Sequence, residues 1–211
     1  MAYADVTEAD RGRLSIYLER LMAADPATLH RSAQLAYWVN LYNAKTVDVI
    51  LARYPVSSIR AIRTHLLDPG PWDEIRMIVA GAPLGLHDIE HGILRPLWGD
   101  TPEIHYLLNC AAVGCPDLGT KAYTATSINA ALDHAARRYI NSPRGVLLSP
   151  DGDLQVSSIY SWYREDFGGS EDDVLDHLRK YAAPPLLAQL ANRTKIDGYL
   201  YDWSLNDAVA E

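Results

Sequence analysis

The sequence predicts an α+β domain in which helices pack on a small antiparallel sheet. Apolar residues recur at helical spacing through several long segments. The strand-like runs come in pairs joined by tight-turn signals, which reads as hairpins. Those hairpins lie between helices rather than in regular βαβ units, which argues against a parallel α/β sheet.

The elements follow in order. Thr7-Glu-Ala-Asp10 has the form of a capping box, and Leu14, Leu18 and Leu21 continue it as a first helix ending near Asp25-Pro26. A longer helix starts at Ser32 and keeps its period through Leu35, Val39, Tyr42, Val47 and Leu51 until Pro55 stops it. A turn of helix is expected at Ser57–Ile62. The pattern changes from Arg76, where Met77–Val79 and the run to Leu84 read as a hairpin. Leu86–Leu94 reads as helix, and Ile104–Leu108 fits either helix or strand. Thr126 or Ser127 is expected to cap a helix running to Ile140. Val146–Leu148 and Leu154–Val156 flank an Asp-Gly turn, Ser170 starts another helix, and Ile196–Tyr201 reads as a closing strand. No repeat, low-complexity tract or linker interrupts residues 1–211, so the chain reads as one domain.

Composition narrows the function. The 211 residues are 48% hydrophobic and 22% charged, an ordinary globular balance. A net charge of −8 argues against a nucleic-acid partner, which demands a cationic footprint. No apolar run reaches the ~18 residues of a membrane span. The first ten residues lack the charged and apolar regions of a signal peptide. Thirteen Tyr and five Trp against one Phe favour rings with a polar tip, which suit cleft walls as well as core.

The chemistry concentrates between His87 and Cys115, which hold three of the seven histidines and both cysteines. Four readings compete. A thiol enzyme would use Cys110 as nucleophile, with His91 or His105 as base and Glu90 or Asn43 orienting the imidazole. Cys115 is the alternative nucleophile, or closes a small-loop disulfide with Cys110 in an oxidising compartment. A zinc hydrolase would use His87-Asp-Ile-Glu90-His91, formally the inverted H-x-x-E-H pattern, with Glu165 or Glu171 downstream as further candidate ligands. A binding site without turnover would use Arg95 and Arg60 to hold an anion, inside walls of Trp38, Tyr42, Trp162 and Tyr163. In a purely structural reading, Asn40, Asn43, Glu90 and His91 hydrogen-bond one another and clamp helices together.

Six phrases occur in order: Ala36-Tyr-Trp38-Val-Asn40-Leu-Tyr42-Asn43-Ala, Tyr54-Pro-Val-Ser-Ser-Ile-Arg60, Leu86-His-Asp-Ile-Glu-His91-Gly-Ile-Leu-Arg95, Ile104-His105, Asn109-Cys110 with Cys115-Pro116, and Ile159-Tyr-Ser-Trp162-Tyr163-Arg-Glu-Asp166-Phe167-Gly. Together they resemble the DUF547 family over roughly residues 30–170. The family is named for its unknown function, so the resemblance implies a shared fold and no activity. Its bacterial members often carry export signals, which implies a periplasmic or lipoprotein-like setting. His87 departs from the small polar residue of the family pattern, which weakens the zinc reading.

The sequence therefore points to a thiol-dependent hydrolase or acyl transferase acting on an amide, peptide or thioester-like bond. Such chemistry is similar to that of papain-like and transglutaminase-like enzymes, although there the nucleophile precedes the histidine and here both histidines come first. Neither a cofactor nor a metal is expected. The expected partner is a small-molecule or peptide substrate.

Overall fold

The computed structural model describes residues 1–63, 70–73 and 77–208. Arg76, where the sequence pattern changes, lies outside them.

Helix α1 (Glu8–Ala23) starts on the expected capping box: the Thr7 hydroxyl accepts from Asp10 N–H, and the Asp10 carboxylate accepts from Thr7 N–H at 3.0 Å. Helix α2 (Arg31–Arg53) stops at Tyr54, whose extended backbone is what a following proline demands. From Leu35 to Leu51 nearly every side chain of α2 is buried, so it is a central helix rather than an amphipathic surface one. Strands β1 (Met77–Val79) and β2 (Ala82–Leu84) form the first antiparallel hairpin. Its turn residues Ala80 and Gly81 take φ of 48° and 82°, the left-handed pair that suits strand twist.

The expected helix after Leu86 is present with a wider winding. Asp88–Leu94 closes i→i+5 bonds, as Arg95 N–H to the Glu90 carbonyl, before tightening into α3 (Arg95–Leu97). The ambiguous segment becomes a 3₁₀ helix, Pro102–Tyr106, with Pro102 setting its first turn. Helix α4 (Ile128–Ile140) lies where expected, but Ser127 does not cap it. The Ser127 and Thr124 hydroxyls instead accept from each other's backbone N–H groups, at 2.9 and 3.2 Å, and close the preceding turn.

Strands β3 (Val146–Leu148) and β4 (Leu154–Ser157) form the second hairpin. The short α5 (Ile159–Trp162), a 3₁₀ turn over Arg164–Phe167, α6 (Glu171–Tyr181) on a Ser170–Asp173 capping box, and α7 (Pro184–Leu190) follow. The closing strand β5 (Gly198–Leu200) is shorter than expected and pairs parallel to β4, so this sheet is mixed. The long return through α5–α7 allows that direction, which a tight turn would forbid. The protein is α+β: helices over two small sheets built on antiparallel hairpins.

One core cluster joins α1, α2, β1 and the Asp88–Leu94 helix and holds Trp38. A second joins α4, α6 and the β3–β4–β5 sheet. Among the described residues no helix is long and apolar enough to cross a membrane.

Candidate functional site

Helix α2 supplies the frame. Its buried Asn43 donates from Nδ2 to the Leu107 carbonyl (2.7 Å) and accepts from Asn109 N–H (2.8 Å). Asn40 does the same for Tyr123, donating to its carbonyl at 2.8 Å and accepting from its N–H at 2.9 Å. Both amides are spent on backbone that has no regular partner, the usual reason to bury an asparagine. This changes three expectations: the Asn43 amide holds backbone rather than an imidazole, the Asn40 amide holds Tyr123 backbone and does not line the disulfide pocket, and neither is bonded to Glu90 or His91 among the described residues. Trp38 is corrected too, because its ring packs edge-on against Tyr37 in the core and is absent from the pocket wall.

Asn109 carries the clamp onward. Its Nδ2 donates to the Pro116 carbonyl (2.8 Å) and its Oδ1 accepts from Ala111 N–H (2.9 Å). Ala111 sits at φ 60°, a left-handed turn that folds the loop back on itself. Gly114 completes the bend, since a Cβ there would stand 2.9 Å from the Asp202 backbone nitrogen. The loop thus brings Cys110 and Cys115 together as a disulfide with a Cα separation of 6.2 Å, inside the usual range, and no free cysteine remains. The Tyr201 hydroxyl lies 3.0 Å from Cys110 Sγ and 3.1 Å from Cys115 Sγ, while Cys110 N–H points at Cys115 Sγ across 2.9 Å.

The disulfide lines a cavity of about 240 Å³ shared with Glu90, His91, His105 and His87. Tyr42 and Trp162 also line it, as the sequence suggested, together with Tyr163. Four expected site residues from the central stretch, and both cysteines, therefore meet in one place. Glu90 is buried and accepts from Tyr42 Oη at 3.0 Å and from the Tyr163 hydroxyl. Burial, reinforced by the Glu90 charge, pushes both phenols well above their ordinary range, so they stay protonated and donate.

The histidines are ordered by a residue to which the sequence reading gave no role. Asp166 accepts from Arg95 through Nε (2.6 Å) and Nη2 (2.8 Å), and from His105 Nε2 (2.8 Å). Burial alone would raise the Asp166 carboxyl, but the His105 and Arg95 hydrogen bonds outweigh it and hold it well below the usual carboxylate range. An ionised carboxylate only accepts, so His105 carries a proton on Nε2, and in its neutral form Nδ1 is the acceptor. Arg95 also directs Nη1 at His91 Nδ1 across 3.0 Å. Guanidinium only donates, so His91 accepts at Nδ1 and carries its proton on Nε2. Burial depresses the His91 imidazole, and His87 and Arg95 depress it further against the pull of Glu90.

Two more expectations change here. Arg95 is committed to Asp166 and His91 rather than held open for a ligand anion, and Arg60 lies over the Trp203 ring at 5.2 Å, outside the cavity wall. The imidazole of His105 is oriented by Asp166, not by Glu90 or Asn43. For a metal, the His87 and His91 rings lie tilted at 35° with centroids 4.3 Å apart, and His87 Nδ1 lies 3.8 Å from Asp73. With the Arg95 cation on His91 Nδ1 and two phenols on Glu90, this trio is invested elsewhere. Among the described residues no group of three or more His, Cys, Asp or Glu side chains is spaced to hold a metal ion.

The remaining aromatic wall comes from Tyr201, Trp203 and Trp72, to which the sequence assigned no site role. Trp162, Tyr201 and Trp203 pack in mutual contact, with centroids 4.7, 4.7 and 5.6 Å apart. Their only sequence signal was the excess of Tyr and Trp over Phe. Asp166 had a stronger one, since it stands in the Trp162–Phe167 phrase.

Fold and site together define a class: an α+β protein with an aromatic-walled pocket that holds a disulfide beside a buried Tyr–Glu–Tyr group and an Arg–Asp–His relay. The chain belongs to the DUF547 family, described as a protein of unknown function, whose match covers residues 26–140. It matches no curated protein and no solved structure.

Proposed function

We propose that the protein is a thiol-dependent hydrolase or acyl transferase acting on an amide, peptide or thioester-like bond, with its thiols stored at rest as the Cys110–Cys115 disulfide. The observation that carries this reading is the convergence of both sulfurs with Glu90, His91 and His105 on one pocket. The disulfide also supports an oxidising, extracytoplasmic setting.

Reduction starts at Cys110, the more exposed cysteine, since Cys115 is only 2% exposed. The thiolate of a small external thiol attacks Cys110 Sγ, and Cys115 leaves as a thiolate stabilised by Cys110 N–H and Tyr201 O–H. A second external thiol then releases Cys110, leaving a protein dithiol and an external disulfide. In the reduced protein Cys110 attacks the substrate carbonyl and His105 takes its proton at Nδ1, with Asp166 holding the ring. His91, neutral and protonated at Nε2, is suited to donate to the developing oxyanion rather than to act as base. The leaving group departs with the proton from His105, and water or an acceptor nucleophile resolves the acyl-enzyme.

The test compares oxidised and reduced protein on a panel of aryl thioesters and peptide amides, with chloroacetamide labelling of each form. Turnover confined to the reduced form and lost in Cys110→Ser supports the proposal. A second reading, ligand binding without turnover, is favoured by the same disulfide, which leaves no thiol at rest. Absence of turnover from fully reduced, folded protein would favour it.

A further inference from the structure

A second cavity lies on the other side of Pro116. The chain from Pro116 to Thr124 forms no regular element and arches over one stripe of α4, where Ala131, Ala135 and Arg138 fall at helical spacing. The space beneath is about 460 Å³, within the usual range for small-molecule sites and larger than the disulfide pocket. Its apolar lining comes from Leu118, Tyr123, Ala131 and Ala135, backed by the buried rings of Tyr106 and Tyr139.

Its rim is cationic on a chain whose net charge is −8. Lys121, Arg138 and Arg144 stand there against a single described carboxylate, Asp117. Asp117 bridges the two guanidiniums: Oδ1 meets Arg144 Nη1 at 2.8 Å and Oδ2 accepts from Arg138 Nη2. Arg144 makes one further described bond, to the Cys115 carbonyl at 3.0 Å. Each guanidinium has five N–H donors, so most are left without a described protein acceptor. The hydroxyls of Thr120, Thr124 and Ser127 add polar contacts along the rim.

We propose that this cavity binds a small organic anion: an oxyanion head, carboxylate, sulfonate or phosphate ester, held by Arg138, Arg144 and Lys121, with a flat apolar body against Leu118, Tyr123 and the α4 alanines. Asp117 occupies part of that anion position in the free protein and competes with the ligand. The site is separate from the disulfide pocket and does not depend on the chemistry proposed there.

Anilinonaphthalene sulfonate, an aromatic sulfonate, is the probe, followed by its fluorescence in titrations of the folded protein. Its counterpart lacking the sulfonate, N-phenylnaphthylamine, controls for apolar binding. Saturable one-to-one binding is expected, weakened by salt and weakened roughly tenfold in Arg138→Gln, the loss of one charge-assisted hydrogen bond. Lys121→Gln, at an exposed loop position, is expected to weaken it in the same direction. Asp117→Asn is expected to strengthen sulfonate binding several-fold by freeing the two arginines while leaving N-phenylnaphthylamine binding unchanged, whereas a loosened fold would raise binding of both probes. The proposal is overturned if the uncharged probe binds equally well, if Asp117→Asn and Arg138→Gln leave the affinity unchanged, or if Trp162→Ala abolishes binding and so places the probe in the other pocket.

Discussion

Arg95 Nη1 stands 3.0 Å from His91 Nδ1 and settles which nitrogen of that imidazole carries the proton. Because guanidinium never accepts, His91 is an acceptor at Nδ1 and a donor at Nε2. Replacing Arg95 by Met removes that constraint and a neighbouring positive charge, so the His91 pKa should rise toward its ordinary value of 6.5. Imidazole ¹⁵N shifts across a pH titration read both effects. Wild-type His91 showing a protonated Nδ1 at neutral pH would contradict the assignment.

The two sulfurs should differ in reactivity. Cys115→Ser leaves Cys110, partly exposed, as the free thiol and should label rapidly with chloroacetamide. Cys110→Ser leaves Cys115, buried at 2% exposure, and should label slowly. If fast labelling survives only in Cys110→Ser, the nucleophile is Cys115. Tyr201→Phe removes the hydroxyl that both sulfurs contact and should slow reduction of the disulfide by external thiol about two- to tenfold, the worth of one hydrogen bond.

Glu90 accepts from two phenols that have been withdrawn from water. Glu90→Ala leaves Tyr42 and Tyr163 without that acceptor and should destabilise the protein by on the order of 3 kcal/mol. Tyr42→Phe removes one donor and should cost less, about 1 kcal/mol. Urea unfolding of both single variants and the double variant should give a non-zero coupling energy. Strict additivity would mean that the contact contributes nothing.

Stability should fall on mild acidification. Burial pushes the His177 imidazole from 6.5 down to about 4, and its Nε2 lies 2.9 Å from the Tyr106 hydroxyl. The unfolded chain then takes up the proton first, so this contribution is complete above about pH 6.5 and is lost as pH falls toward 4. The loss is on the order of 3 kcal/mol, and His91 acts in the same direction. Asp166, held low by His105 and Arg95, adds a further loss that begins as the pH falls through the ordinary carboxylate range and continues below it. Denaturant midpoints between pH 7 and pH 4.5 should therefore slope less in His177→Gln than in the wild type. Equal slopes would assign the acid sensitivity to other groups.

The sequence determined what depends on neighbours along the chain. The Thr7–Asp10 and Ser170–Asp173 capping boxes, the stop before Pro55 and the hairpin turns at Ala80-Gly81 and Asp151-Gly152 are local contacts, and local patterns specify them. The concentration of His87, Glu90, His91, His105 and both cysteines in one stretch was equally legible, because four of these groups and the disulfide share a pocket. Tertiary structure decided which groups touch. Asn40 and Asn43 resemble orienting residues in sequence, yet their amides satisfy backbone from the 107–109 and 123 segments, partners more than sixty positions away. Asp166 takes the orienting role because the turn after α5 carries it beside Arg95 and His105, seventy-one and sixty-one positions back. Helical period likewise could not reveal the wide winding at Asp88–Leu94 or the parallel entry of β5. Both are set by what packs against those segments, since a polar group or a strand edge is satisfied by whatever the fold brings within hydrogen-bonding distance.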